Sequence, residues 1–364
     1  MGGVVSMQQD KVKIKLSGVS ETLLFCLFGR AKLSKEHSSL FYDAKAVELA
    51  EKIDYDLSAS DMPFEGVLFN TPFKDNLSLF SLWSLRAKQF DEKIQAYIAE
   101  HPRASVISLA AGLDTTFYRV DNGLIHWYDL DLPAVIDVRR QLLPEPDRVT
   151  YIAKSLFDPS WCRDIKDTEE GVFMIAGGVL PFFEKPQVKQ FFSMLADNFP
   201  DGEIIFDVPS KLDNNFRALI EQFPPEQQDA MRSALMDAMK DWWEKVPQDQ
   251  KDTLIGTLKT PTKPKGKEWA DIEEWWDQLS DKEKEKARDD FRASSDTSFE
   301  QVSWGRWTLE DANEIAKWDD RITVIDQFPL YRNISRHPSL SADVRQFMDY
   351  SDESGGSNII HLRV

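Results

Sequence analysis

The sequence has few cysteines and no clustered metal ligands. Cys26 and Cys162 are the two thiols and lie far apart in the chain, a spacing that fits neither a zinc site nor a redox motif; so few thiols favour a reducing, cytoplasmic environment. None of the five histidines is spaced with another His, Cys or Glu as metal ligands are. The Gly-x-Ser-x-Gly elbow of serine hydrolases is also missing. We therefore expect a metal-free site and no hydrolase.

Long apolar runs and positive charge are also scarce. The run Thr22 to Phe28 is far shorter than the roughly 18 to 20 residues of a membrane span, and the first residues lack a signal-peptide core. Lys and Arg number 44 against 62 Asp and Glu, a net charge of -18, which repels nucleic acid and anionic lipid. We expect neither as a partner, although Gly2 and Ser6 match the loose N-myristoylation pattern.

The sequence contains an alternation of short apolar runs and amphipathic stretches. Hydrophobic residues make up 42% of its 364 residues, enough for a sizeable core, and one large decorated domain is preferred to two. The pattern predicts an α/β fold with a doubly wound, mostly parallel sheet. Strands are predicted at Ala104–Ala110, Leu124–Leu130, Arg148–Ala153, Val172–Ala176, Glu203–Val208, Arg321–Phe328 and Ile359–Val364, and helices at Ser78–His101, Pro133–Leu142 and Pro186–Phe199.

The alternation stops between about Lys211 and Ser303, where the sequence is helical, charged and rich in tryptophan. We predict an N-terminal helical cap over 1–77, a core formed by 78–210 and 304–364, and a helical insertion over 211–303 that serves as a substrate lid. Two interpretations of the tryptophans remain open: they pack the inserted helices, or they form flat apolar walls over a substrate.

Residues that follow the first two core strands indicate a nucleoside-bearing cofactor, because ligands of such sheets bind beyond the carboxyl ends of the strands. Gly112 follows the first strand, and Asp129 lies 17 positions later, near the spacing of an acid that binds ribose hydroxyls; the alternative is that Asp129 caps the next helix, a role for which Asp131 is better placed. Ala110 and Thr115 stand where a nicotinamide fingerprint needs glycines, which favours S-adenosylmethionine and leaves a nicotinamide cofactor as the alternative.

Two segments carry a family resemblance. The string Ser108-Leu-Ala-Ala-Gly-Leu-Asp-Thr-Thr-Phe-Tyr-Arg119, followed by Trp127-Tyr-Asp-Leu-Asp-Leu-Pro133, resembles the leucine carboxyl methyltransferase family, which includes polyketide O-methyltransferases of the tetracenomycin type. The similarity extends from about Glu21 to Pro209. It implies a class I, Rossmann-like, S-adenosylmethionine-dependent methyltransferase.

The resemblance also implies roles for individual residues. Arg86 takes the position of an arginine that pairs with the cofactor carboxylate, a target that suits the guanidinium fork, and Arg30 resembles a second position near it. The alternatives are a solvated helix residue for Arg86 and plain packing after the third strand for Ser155 and Leu156. The positions assigned to the cofactor are Arg86, Gly112 and Asp114 at the methionine portion, Asp129 at the ribose, and Ser155 and Leu156 beside the adenine.

The sequence departs from the family pattern at two positions. Ala110 stands where the family usually has glycine, which adds a methyl group. Gly177 stands where the family usually has an acidic residue. This second change removes a charge from the mouth of the pocket and puts substrate positioning in doubt more than cofactor binding.

The expected reaction is methyl transfer to oxygen, with the carboxylate of a small, largely apolar acid as the acceptor. A carboxylate is already anionic at neutral pH, so its methylation needs alignment and desolvation rather than a strong base. The alternatives are a protein C-terminal carboxylate as the acceptor, a nicotinamide-dependent oxidoreductase, and a binding module that holds S-adenosylmethionine without turnover.

Overall fold

A computed structural model describes residues 11–14, 22–55, 79–209, 248–280 and 307–364, with scattered positions between 228 and 290. Gly2 and Ser6, the pair that matches the lipidation pattern, lie outside the described residues. The same holds for Trp242 and for most of the predicted boundaries between cap, core and insertion. The division into these three units therefore stays a prediction.

The core of the fold is a seven-stranded sheet with the strand order β5-β4-β3-β6-β7-β9-β8. Strands β3 to β7 are parallel, and β9 runs antiparallel between β7 and β8. This arrangement confirms the predicted doubly wound, mostly parallel sheet. The strands are β3 Ser105–Leu109, β4 His126–Asp131, β5 Val149–Ala153, β6 Val172–Ala176, β7 Glu203–Val208, β8 Thr323–Pro329 and β9 Asn358–Arg363, while β1 Val12–Lys13 and β2 Ile53–Asp54 pair separately.

Helices cover both faces of the sheet. Along β3, Val106 belongs to an apolar cluster with the helix Arg86–Glu100, and Ile107 belongs to the opposite cluster with the helix Lys185–Asn198, so all five residues of the strand are buried. The helices are α1 Thr22–Glu36, α2 Ala44–Lys52, α3 Leu79–Trp83, α4 Arg86–Glu100, α5 Phe117–Val120, α6 Pro133–Leu142, α7 Lys185–Asn198, α8 Gln248–Thr257, α9 Trp269–Gln278, α10 Asn313–Ala316 and α11 Ala342–Ser354.

The predicted single helix Ser78–His101 is wrong, because the chain turns at Ser84 and Leu85 between α3 and α4. The apolar spacing continues across the turn, since Leu82, Leu85 and Phe90 are all buried, and the hydrophobic pattern therefore gave no sign of the break. The turn puts Arg86 at the first position of α4, near the carboxyl ends of β3 and β6.

The described tryptophans of the insertion lie in small apolar clusters of their own. Trp243 and Trp275 are buried, and their indole N–H groups donate to Lys267 O at 2.7 Å and Thr262 O at 2.9 Å. These contacts support the packing interpretation for both side chains; the role of the insertion as a lid stays a prediction. One cluster contains Trp243, Leu254 and Ile272, and the other contains Leu258, Trp275, Leu279 and Ala287.

No helix among the described residues is both long and apolar enough to cross a membrane.

Candidate active site

A cavity opens at the carboxyl ends of β3 and β6, between these strands and helices α1 and α4. Three of the six residues predicted to bind the cofactor line it: Arg86, Gly112 and Asp114. Gly177, the position of the missing acidic residue, also lines it. Parallel-sheet ligands bind at this edge. Other lining residues include Leu23, Cys26, Arg30, Phe90, Ala110 and Ile175.

The turn after β3 has an unusual backbone that requires small residues. Ala110 has φ 53° and Gly112 has φ 51°, a left-handed conformation that suits glycine. A Cβ atom at Gly112 would lie 2.5 Å from Leu23 Cδ2. Gly112 is therefore fixed by its own backbone conformation and by the close approach of α1.

Arg139 of α6 binds the backbone carbonyl groups of this turn. Its Nη1 donates to Gly112 O at 3.0 Å and to Asp114 O at 2.8 Å, while Nε and Nη2 donate to Asp129 Oδ2 at 3.0 and 2.6 Å. Arg139 is 2% exposed and Asp129 is 1% exposed. Because a buried guanidinium needs a counterion, Asp129 serves as the partner of Arg139.

Asp129 is not among the residues that line the cavity, and its role as the ribose acid stays a prediction. One of its oxygens is occupied by Arg139, and the other accepts the Trp127 indole N–H at 2.8 Å. Burial raises the pKa of Asp129 above its ordinary value, although Arg139 and the indole act in the opposite direction. The ion pair with Arg139 and its burial account for this residue without any ligand.

Asp131 lies on the same face of β4 as Asp129 but two residues closer to the cofactor edge, because side chains alternate along a strand. Its Oδ2 accepts the Gly112 N–H and its Oδ1 accepts the Leu132 N–H, both at 2.7 Å. The prediction that Asp131 caps α6 is wrong, since Leu132 is the N-cap residue and the Asp131 carboxylate accepts the N–H of that residue rather than one inside the helix. The position of Asp131 at the carboxyl end of β4 could have been predicted, because it is the last acidic residue before Leu132-Pro133.

Asp114 presents a negative charge to the cavity. Burial raises the pKa of Asp114, but the guanidinium groups of Arg30 and Arg119 oppose this effect, and the net result is a pKa below the ordinary value. Arg30 is itself held by Leu113 O at 2.9 Å and by Asp43 Oδ2 at 3.3 Å. Asp114 is therefore ionised at neutral pH and suited to a cationic ligand group.

Arg86 is the cavity arginine with the most freedom to bind a ligand. Its Nη2 donates to Cys26 Sγ at 3.6 Å, and its Nη1 lies 3.6 Å from Asp207 Oδ2, which is longer than an ordinary N–H···O hydrogen bond. Burial lowers the pKa of Arg86 and the Asp207 carboxylate raises it, with a net upward shift. The fork fits a carboxylate such as that of the cofactor. No sequence motif pointed to Cys26 or Asp207 as residues beside Arg86.

The structure does not bring Ser155 and Leu156 to the cavity. Ser155 is exposed in the loop after β5. Leu156 packs in the core, and its carbonyl oxygen accepts the Trp161 indole N–H at 3.1 Å. The packing alternative therefore fits Leu156, and the adenine role of both residues stays a prediction.

The described residues contain no group of three or more His, Cys, Asp or Glu side chains arranged to hold a metal ion.

The sequence matches known methyltransferases across this site. The family model for leucine carboxyl methyltransferase matches residues 24–196. The tetracenomycin polyketide synthesis O-methyltransferase TcmP of Streptomyces glaucescens is 32% identical over 195 residues, which cover 53% of this chain and 67% of the relative. This chain belongs to the leucine carboxyl methyltransferase family.

A second relative supports the cofactor assignment. The S-adenosyl-L-methionine-dependent methyltransferase dpfgK of Gibberella zeae is 29% identical over 219 residues, covering 56% of this chain and 70% of the relative. The protein is therefore an S-adenosylmethionine-dependent methyltransferase, which decides against the nicotinamide alternative. A similar solved structure is a DUF574 family protein from Streptomyces avermitilis, with 9% identity, a TM-score of 0.43 and coverage of 92% of this chain and 96% of that one.

Proposed function

We propose that this family member transfers the methyl group of S-adenosylmethionine to the carboxylate of a small, largely apolar acid. The bound sulfonium supplies an electrophilic methyl group. The acceptor oxygen forms a bond to that carbon as the carbon–sulfur bond breaks, and the products are a methyl ester and S-adenosylhomocysteine. The similarity to TcmP, a polyketide synthesis O-methyltransferase, supports oxygen as the acceptor and a small molecule as the substrate.

The observation that carries the proposal is the lack of a suitable base among the described residues that line the cavity. They include no histidine, and Asp114 is their one carboxylate. Since the pKa of Asp114 is lowered, its carboxylate is a weak base. A phenol or alcohol needs proton removal during transfer, whereas a carboxylate acceptor is already anionic.

The described residues have separable tasks in this proposal. Arg86 binds the carboxylate of the cofactor, and the turn from Gly112 to Asp114 borders its methionine portion. Neither Asp129 nor Asp131 lines the cavity itself, but we assign the ribose hydroxyls to Asp131, because it stands at the end of β4 and binds only backbone N–H groups, one of them from the cavity residue Gly112. These contacts fix the cofactor, and closure of the site over an apolar acid would exclude water.

The test compares matched acceptors. The purified protein is incubated with methyl-labelled S-adenosylmethionine and either an apolar aromatic acid, the alcohol of the same skeleton, or a peptide with a free C-terminus. Mild alkali releases the label of a methyl ester as methanol but leaves a methyl ether intact. We expect alkali-labile label with the acid alone.

Three other results would contradict the proposal. Alkali-stable label on the alcohol would show hydroxyl methylation, and label on the peptide would show a protein C-terminal acceptor. S-adenosylmethionine that binds without conversion against the whole panel would favour a binding module.

A further inference from the structure

Asp207 of β7 reaches over the end of β6 toward the cavity. Register pairs Ile175 with Ile205 and Ala176 with Phe206, which places residue 177 beside residue 207 just past the ladder. The Asp207 Oδ1 accepts the Gly178 N–H at 2.5 Å. Its carboxylate is thereby held at the cofactor edge of the sheet, next to Gly177, which lines the cavity.

Arg86 approaches the same point from α4, and two glycines leave room for it. A Cβ atom at Gly178, which has φ 67°, would lie 2.8 Å from Arg86 Nη2. A Cβ atom at Gly177 would lie 3.0 Å from Phe90 Cε2 and 3.6 Å from Arg86 Nε. A side chain at Gly178 would therefore collide with the Arg86 guanidinium, and one at Gly177 would press on Phe90.

Arg86 and Asp207 are close to each other but not in hydrogen-bond contact. Arg86 Nη1 and Asp207 Oδ2 are 3.6 Å apart, and the two side chains are 15% and 13% exposed. Two partly desolvated charges of opposite sign, side by side and not yet hydrogen-bonded to each other, match the two charges of an α-amino acid group. The Asp207 hydrogen bond to Gly178 leaves its second oxygen for a ligand.

We propose that Asp207 is a cofactor-binding residue that takes the α-ammonium of the methionine portion, while Arg86 takes the α-carboxylate. This inference rests on the cofactor placement proposed above. The cavity also contains a competing carboxylate, Asp114, which accepts the Thr116 N–H at 3.0 Å and faces Arg30. The assignment is therefore a choice between two acids that a binding experiment resolves.

The experiment measures dissociation constants by calorimetry for three ligands. They are S-adenosylhomocysteine, its analogue that lacks only the amino group, and 5′-methylthioadenosine, which lacks the amino acid portion. In the unmodified protein, loss of the amino group should weaken binding by about tenfold, the usual value of a hydrogen bond between charged groups. An analogue that binds as tightly as S-adenosylhomocysteine overturns the proposal without any variant.

The variant is Asp207→Asn, which keeps an oxygen acceptor for Gly178 N–H and removes the charge. It should weaken S-adenosylhomocysteine about tenfold and leave the deaminated analogue and methylthioadenosine within about twofold. Asp326→Asn is the matched control, because Asp326 pairs with Lys93 on the edge strand β8, and it should change none of the three constants.

Three results would overturn the assignment. Equal weakening of all three ligands by Asp207→Asn would show a merely structural role. Weakening that persists with the deaminated analogue would show that Asp207 acts only through Arg86. If Asp114→Asn rather than Asp207→Asn abolished the amino-group preference, the ammonium would belong to Asp114. These readouts involve no methyl acceptor, so failure to form an ester would contradict the proposed function alone.

Discussion

Ala110 carries backbone strain at the centre of the candidate site. Its φ of 53° costs an L-residue roughly 1 to 2 kcal/mol, whereas glycine adopts it freely but adds up to about 1 kcal/mol of entropy to the unfolded chain. Ala110→Gly should therefore raise the free energy of unfolding by about 1 kcal/mol. Urea denaturation of the two proteins measures this difference.

The neighbouring Ala111 is the matched control for this substitution. It is 4% exposed and is not among the described residues with positive φ. Ala111→Gly should lower the free energy of unfolding by about 1 kcal/mol, because it loses a buried methyl group and gains chain entropy. If both variants were destabilised alike, the strain assigned to Ala110 would be wrong.

Asp129 and Asp131 should respond differently to removal, although they lie two residues apart. Asp129→Ala leaves Arg139 buried without its counterion and should cost about 3 to 5 kcal/mol of folding stability. Asp131→Ala should instead weaken cofactor binding by roughly 1 to 3 kcal/mol. Denaturation and calorimetry on both variants test this, and the reverse pattern would restore Asp129 as the ribose acid.

At the residue scale, the structure brings together in one cavity three of the six residues predicted to bind the cofactor, and their roles stay predictions. Gly112 and Asp114 belong to a single turn, and Arg86 was found by family position. Asp129 was preferred to Asp131 because the sequence does not show at which residue a buried strand ends. Arg139 lies on the next helix and reaches back to the turn, a contact that no local spacing reveals.

At the scale of elements, buried ion pairs tie the helices around the cofactor turn together. Arg119 of α5 donates to Asp43 at 2.6 Å, to Asp91 of α4 at 2.7 and 2.9 Å, and to Thr116 at 2.8 Å. Asp43 also accepts the Thr115 hydroxyl at 2.6 Å. Helices α1, α2, α4 and α5 are thus coupled to the turn by charge rather than by apolar packing alone.

Asp91 should make this network sensitive to pH. Burial raises its pKa to about 6 against the opposing effect of Arg119, so the folded state binds the proton more tightly than the unfolded state. Ionisation between about pH 4 and 6 therefore costs the folded protein up to about 3 kcal/mol. The stability of the unmodified protein relative to Asp91→Asn should fall as pH rises through this window and stay level above it.

Denaturation curves recorded at several pH values from about 4.5 to about 7.5, a range that spans most of the titration, measure the difference in free energy of unfolding between the two proteins. An effect of the asparagine that does not depend on pH shifts this difference by a constant and leaves its slope against pH unchanged. Asp319→Asn is the control: Arg321 lowers the pKa of Asp319 to about 2, below the window, so its difference should be flat. A flat difference for Asp91→Asn as well would refute the raised pKa.

The sequence predicted the five parallel strands and two of the three core helices closely: α6 has the predicted bounds, and α7 lies one residue earlier than predicted. The parallel strands are short apolar runs because both faces are buried, and each was placed within about two residues. The break between α3 and α4 was missed because Ser84 and Leu85 continue the apolar spacing while the backbone turns. Tertiary packing, with Leu85 fully buried, decides that turn, and no glycine or proline marks it.

At the scale of the whole molecule, the part of the chain that matches the family and the predicted insertion are separate segments. The family model ends at residue 196, before the segment 211–303, and the residues proposed to hold the cofactor lie within the matched part or just beyond it. Under the proposed function, the substrate preference would depend on that segment, for which the family gives the least guidance. Because the net charge is -18, an anionic acceptor is not attracted over long distances and relies on local contacts in the site.

Trp275 tests whether the insertion packs on itself or forms a wall of the substrate site. Its side chain is 4% exposed among Leu258, Leu279 and Ala287, and its indole N–H is bound to Thr262 O. Trp275→Ala should destabilise the insertion by about 3 to 5 kcal/mol, seen as faster limited proteolysis there, with the S-adenosylhomocysteine affinity unchanged.

Trp276 provides the comparison, since it is partly buried against the same cluster. Trp276→Ala should speed proteolysis less than Trp275→Ala, because it vacates less buried volume. A packing role predicts that turnover falls only in proportion to the fraction of protein with an intact insertion, and that lower temperature restores it. Lost turnover in a Trp275→Ala protein whose insertion still resists proteolysis would show instead that this ring contacts the substrate.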